Sequence, residues 1–252
     1  MRAPLPAAAL TLALALGAGC RHVPTDKEQR AADAHFDLGV VAQEKGNIQE
    51  ALREYQAALE LNEVFPEAHN AIGILLHLSF NRPEEAIRHY KRALEIREGY
   101  SEAKTNLGNV YLDLGKYDEA IKLYDQVLND MLYTTPYIAH SNRGWALFKK
   151  GDVRGGMESI QMALTTNPKF CLGYKNLGLI HDEQGQTEAA CDDYRHYRDS
   201  CPDAGDAYYR EGVCLAKLGR TDEARKDFAA CQTRQVTPGT RDDCKRLLEQ
   251  LQ

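Results

Sequence analysis

Residues 101–134, SEAKTNLGNVYLDLGKYDEAIKLYDQVLNDMLYT, carry the pattern that decides the fold. Gly108 and Gly115 stand seven apart, Ala120 follows Gly108 by twelve, Tyr124 comes four later and Val127 three after that. A glycine at position 108 lets two helices approach closely. A second one at 115 ends the first helix, because it accepts a left-handed backbone without a Cβ penalty. The stretch therefore reads as two helices folded against each other across a tight turn.

The same spacing runs outward in both directions. Glycine pairs seven apart occur at Gly39/Gly46, Gly144/Gly151, Gly178/Gly185 and Gly212/Gly219, and Gly73 is a sixth member whose partner position holds Phe80. Behind them come Ala51, Ala190 and Ala224, with Ala86 shifted by one, then Tyr55, Tyr90, Tyr194 and Phe228. A smaller residue follows at Ala58, Ala93, Ala163 and Cys231, with Tyr197 the exception, and a proline follows at Pro168 and Pro202. A period of this length and composition resembles the tetratricopeptide repeat (TPR). The resemblance predicts an all-α superhelical solenoid of six helix-turn-helix repeats, over residues 32–65, 66–100, 101–134, 137–170, 171–204 and 205–238. One such repeat cannot bury its apolar stripe alone, so stacking produces one continuous core. Small residues on the second helices receive large neighbours, and enlarging one would overpack by roughly 1–3 kcal/mol. Residues 239–252 read as a capping helix, in which Leu247, Leu248 and Leu251 cover the open end.

Residues 1–19 read as a signal peptide. Arg2 supplies a positive start, and the apolar run from Leu5 to Leu16 is short of the roughly 20 residues that span a bilayer. Gly17-Ala18-Gly19 gives small residues immediately before Cys20. The ending resembles a bacterial lipobox, which implies acylation of Cys20 and a lipid-anchored N-terminus and linker over 20–31. Gly17 departs from the aliphatic residue usual there, and an ordinary signal peptide ending near a cysteine is the other reading. Arg21 is not the aspartate that retains bacterial lipoproteins in the inner membrane, so the resemblance implies an outer-membrane address facing the periplasm.

Formal charge is −6, and loss of residues 1–19 removes Arg2 and no acid, which leaves about −7. Nucleic-acid binding needs basic patches, so this balance argues against it. Apart from Cys20, six cysteines lie between residues 171 and 244. Such a density suits an oxidising compartment. Level positions across antiparallel helices pair Cys171 with Cys201, Cys191 with Cys214 and Cys231 with Cys244. The rival reading leaves some of them as free, buried cysteines, as Cys231 could be. Metal binding is disfavoured, since there is no CxxC and neither His181 nor His196 has ligand spacing.

A search for chemistry finds none. Gly108 to Lys116 resembles a phosphate loop, but six residues separate its glycines where four are needed. His35, His69 and His140 share the fourth position of their repeats and read as packing residues. Acids such as Glu84, Glu85, Asp222 and Glu223 begin second helices, where negative charge complements the helix dipole. No nucleophile–base pair, metal cluster, cofactor motif or small-molecule substrate site emerges, and an enzyme is not expected.

In a TPR array the first helices line a concave groove. Family geometry turns Phe36, Val40, Asn70, Ile74, Leu78, Asn109, Leu112, Trp145 and Phe148 inward; packing between helices is the other reading for Trp145. The lining is apolar, and Phe36 and Val40 cannot form the Lys/Asn carboxylate clamp of co-chaperone TPR domains. An amphipathic helix or an extended apolar segment is the expected ligand.

Between repeats three and four, Asp130-Met131-Leu132-Tyr133-Thr134-Thr135-Pro136 makes an acid-x-x-Tyr-x-x-Pro link. Such a link in a six-repeat lipoprotein of this length resembles the type IV pilus pilotins of the PilF/PilW/Tgl type. The resemblance implies a partner, the secretin of the type IV pilus machine, whose assembly and localisation in the outer membrane the protein would promote. The alternative is a TPR scaffold for another envelope machine, in outer-membrane protein assembly or peptidoglycan regulation.

Overall fold

A computed structural model describes residues 23–251. The expected signal peptide and Cys20 lie outside the described residues. Among the described residues thirteen α-helices follow one another: α1 Asp26–Glu44, α2 Ile48–Leu61, α3 Pro66–Ile74, α4 Pro83–Ile96, α5 Ser101–Asp113, α6 Tyr117–Leu128 and α7 Pro136–Lys150. The remainder are α8 Val153–Thr166, α9 Cys171–Glu183, α10 Thr187–Ser200, α11 Gly205–Lys217, α12 Thr221–Thr233 and α13 Pro238–Gln250. They form six hairpins and a cap, an all-α TPR superhelix.

The hairpins close where glycine replaces a side chain. A Cβ on Gly108 would stand 2.7 Å from the ring of Tyr124, itself wholly buried. Gly39, Gly73, Gly178 and Gly212 face Tyr55, Tyr90, Tyr194 and Phe228 in the same way. Repeat four solves the problem differently. Its second helix has Ile160 at the aromatic position and Gly156 at the alanine position, so the backbones of α7 and α8 meet directly. A Cβ on Gly144 would come 2.6 Å from the Gly156 carbonyl.

Repeat two carries one residue more than the pattern, and the structure shows where it goes. Helix α3 widens into a π turn over Leu75–Ser79, and the left-handed residue is Asn81 (φ 52°) rather than the residue after Ser79. The turn therefore lies one position beyond Phe80. Asparagine is among the few residues that adopt this conformation at low cost.

Both ends differ slightly from expectation. Helix α1 starts at Asp26 instead of residue 32, because Thr25 and Glu28 form a reciprocal capping box that satisfies two orphan backbone donors. The linker is thus shorter than residues 20–31. At the other end α13 begins at Pro238, capped by the Thr237 side chain. Leu247, Leu248 and Leu251 pack on a cluster containing Leu215, Phe228 and Cys231, and Arg225 holds the Leu251 carbonyl. Three disulfides, Cys171–Cys201, Cys191–Cys214 and Cys231–Cys244, join α9 to the end of α10, α10 to α11 and α12 to α13.

Candidate partner-binding groove

Helices α1 and α3, with Tyr55 of α2 and Tyr100 just before α5, line an open cavity of about 440 Å³ on the concave side. Phe36, Val40, Asn70 and Ile74, four of the inward residues expected from the repeat, come together in it with Gln43, Glu44, Tyr55, Glu67, Ala71 and Tyr100. Phe36 stacks obliquely on both Tyr55 and Phe65, with ring centroids 5.4 and 5.1 Å apart. Those contacts fix an aromatic wall, so the cavity is held open by the core rather than by mobile side chains.

The rim is acidic and polar. Glu67 accepts from Arg97 at 2.5 Å, and Arg97 in turn lies 5.0 Å over the Tyr100 ring. Burial, reinforced by Glu67 and Glu102, pushes the Tyr100 hydroxyl up to about 12. It therefore remains a neutral donor. Glu44 makes no ion pair among the described residues.

The other expected lining residues are distributed along the superhelix. Leu78 stands on the π turn, 72% exposed. Leu112 is half-buried against Ala120, Tyr124 and Ala146. Trp145 is half-buried beside Phe148, at 5.4 Å between rings, and Lys149 lies 5.0 Å over its face. Phe148 departs from expectation. It is only 7% exposed and packs among Ile160, Leu164, Leu177 and Ile180, because Gly156 draws α8 against its Cβ. It belongs to the core.

Asn70 and Asn109 do more than face the groove. Asn106 donates to Asn70 Oδ1 at 3.0 Å, and Asn109 Oδ1 accepts from Asn142 at 2.8 Å and from the Tyr124 hydroxyl at 2.7 Å. Asn176 donates to Ser141 at 3.1 Å. These bonds tie successive first helices and set the pitch of the concave wall. Their sequence signal is an asparagine at the sixth position of three consecutive repeats (Asn106, Asn142 and Asn176), which inward-position reasoning overlooks. Glu67 occupies the second, inward position of its repeat, whereas Tyr100 lies in an inter-repeat loop that the repeat pattern does not address.

Beyond Trp145 the groove changes character. Asp206 bridges Lys175 at 2.8 Å and Arg210 at 3.0 Å, and Lys217 reaches Asp182 at 2.5 Å. Burial would raise the Asp206 carboxyl, yet the two cations hold it below its ordinary value. The front is apolar with an open cavity, and the back is ion-paired and cross-linked. Among the described residues no group of His, Cys, Asp and Glu could hold a metal ion, and no helix is long and apolar enough to cross a membrane.

Tetratricopeptide repeat profiles match residues 30–99, 77–131, and 105–169 with 175–234. The chain belongs to the tetratricopeptide repeat family, whose members are in general scaffolds for protein–protein interaction. Among solved structures it is similar to PilW, described as a widely conserved type IV pilus biogenesis factor, at 20% identity and a TM-score of 0.73 over 84% of this chain and 97% of PilW. It is also similar to Pseudomonas aeruginosa pilF, at 16% identity and a TM-score of 0.69 over 87% of this chain and 99% of the other. A tetratricopeptide repeat protein from Parabacteroides merdae aligns at 18% identity and a TM-score of 0.71, over 87% of this chain and 84% of that one. At these identities the likeness is one of fold. No curated protein matches the chain.

Proposed function

We propose that this protein is an outer-membrane lipoprotein, anchored through Cys20 and facing the periplasm, that binds secretin subunits of a type IV pilus machine and promotes their assembly. The observation that carries the reading is the apolar cavity between α1 and α3, walled by Phe36, Val40 and Ile74 and open on the concave side. A cavity of this kind accepts one or two anchor side chains of an amphipathic helix or extended segment. The near end-to-end likeness to PilW and pilF supports the choice of machine.

The mechanism is one of local concentration. A lipid anchor confines the groove to the membrane surface, so a captured subunit meets its neighbours at an effective concentration set by the tether and not by the bulk. Stable anchoring by acyl chains follows from about 0.8 kcal/mol per buried CH₂, provided at least two chains are attached. No bond is made or broken in the client.

Deletion of the gene tests the proposal. The expected result is loss of the detergent-resistant secretin multimers seen on denaturing gels, with secretin monomer still present. Multimers at normal abundance in the deletion strain would overturn it.

A further inference from the structure

The free face of α1 has a composition that the groove does not use. At about 100° per residue, Lys27, Arg30, Ala34, Leu38, Val41 and Lys45 fall within roughly a quarter of the helix circumference. All six are exposed, Leu38 at 55% and Val41 at 43%. No side chain of Lys27, Arg30 or Lys45 is ion-paired among the described residues. Elsewhere many surface cations do have partners, such as Arg82 with Glu85, Arg154 with Glu158 and Arg220 with Glu223. The stripe is about 27 Å long at 1.5 Å per residue, apolar in the middle and basic at both ends. Four of the five acids of α1, Asp26, Asp33, Asp37 and Glu44, lie on one flank instead, toward the side on which Glu44 borders the cavity, and the fifth, Glu28, lies beyond the other flank, in the Thr25 capping box.

We infer that this stripe is a docking surface for an anionic lipid bilayer. Unpaired basic residues flanking a small apolar strip match the composition of helices that lie in the headgroup region, each cation contributing attraction to anionic lipid. The tether points to the same occupant, and this part of the argument rests on the anchored reading. Only residues 21–24 separate Cys20 from the N-cap Thr25, so at full extension an acylated Cys20 holds the start of α1 within about 18 Å of the membrane. Phe36, Val40 and Gln43 project from the opposite half of α1. Docking by the stripe thus leaves the cavity open, lying beside the membrane and facing away from it.

The test uses the full chain on vesicles. A membrane-impermeant amine-acylating reagent is applied to the protein with excess phosphatidylglycerol/phosphatidylethanolamine vesicles, with phosphatidylcholine vesicles, and in detergent alone. Labelling of Lys27 and Lys45 is read by peptide mass spectrometry against Lys226 and Lys245, exposed at the far end. The inference expects Lys27 and Lys45 to label about threefold slower or less on anionic vesicles only, with the protection removed by high salt. The variant carrying Arg30→Glu and Leu38→Asp, both at exposed positions, is expected to lose it. Equal labelling on anionic and neutral vesicles would overturn the inference. So would equal protection in detergent, since a second copy would then be covering the stripe. Intact mass and flotation report separately on acylation of Cys20. An unacylated chain counts against the anchored reading alone, while lysine protection by excess anionic vesicles still decides the stripe.

Discussion

Gly108 shows how much a single hydrogen atom decides. Replacing it with alanine puts a Cβ 2.7 Å from Tyr124, and the ring has nowhere to go because it is fully buried. Gly108→Ala is expected to lose about 1–3 kcal/mol in urea unfolding. At Gly99 a Cβ would meet nothing within 4 Å, so Gly99→Ala should unfold at nearly the wild-type midpoint. Glu211 is a second instance. Its carboxylate is 2% exposed, beside Asp227 and 2.8 Å from Arg198 Nη1. Burial, then Asp227, pushes it up to about 7, and burial pushes Asp227 up to about 6. A folded-state acid raised above its unfolded value of roughly 4 makes stability fall as pH rises through the interval between them, here from about pH 4 to pH 7. Half-buried His89, lowered to about 4 chiefly by desolvation, acts oppositely below pH 6.5. The clean measurement is therefore the difference between wild type and Glu211→Gln. The variant should gain relative stability between pH 5 and pH 8, and a difference independent of pH would contradict the assignment.

At the scale of helices, the repeat register was legible because it is written in residues that have no substitutes. Gly at a helix crossing and a large ring opposite it give a spacing that survives any change on the surface. The features that escaped reading are those in which one residue type does another's work. The extra residue of repeat two went into a π turn, with Asn81 taking the left-handed role. Phe148 was drawn into the core because Gly156 permits a backbone approach that no other repeat makes. Asn70 lines the cavity as its position implies, but its tie to Asn106, like that of Asn109 to Asn142, is not legible from inward position alone. The four residues that do meet in the cavity were legible, since each sits at an inward position on a first helix. The cysteines carry their own expectation. Thiol counting on denatured, unreduced protein should find none of the six between residues 171 and 244 reactive. Opening Cys231–Cys244, whose loop spans 13 residues, should lower stability by about 2–4 kcal/mol and release α13 to proteolysis first.

For the whole molecule, the solenoid divides into two parts with different physics. The first four hairpins carry the open apolar cavity and the Asn70–Asn106 and Asn109–Asn142 ties, and no disulfide joins them in the described residues. The last two hairpins and the cap are cross-linked and ion-paired across their concave side. A client that needs an apolar pocket therefore belongs at the front, and the back serves as a stiff support. Charge reversal at the back, such as Lys217→Glu, should leave client binding unchanged within about twofold, because exposed ion pairs contribute little. A polar side chain in the cavity should not be tolerated in the same way. The most direct measurement is capture of detergent-solubilised secretin by the immobilised full chain, comparing wild type with Ile74→Asp, Ile74 being only half-buried. With both proteins showing the same helical circular dichroism and melting cooperatively, Ile74→Asp is predicted to reduce capture by about tenfold or more, since a hot-spot contact is worth at least ~1.4 kcal/mol. Equal capture by the two proteins would contradict the account.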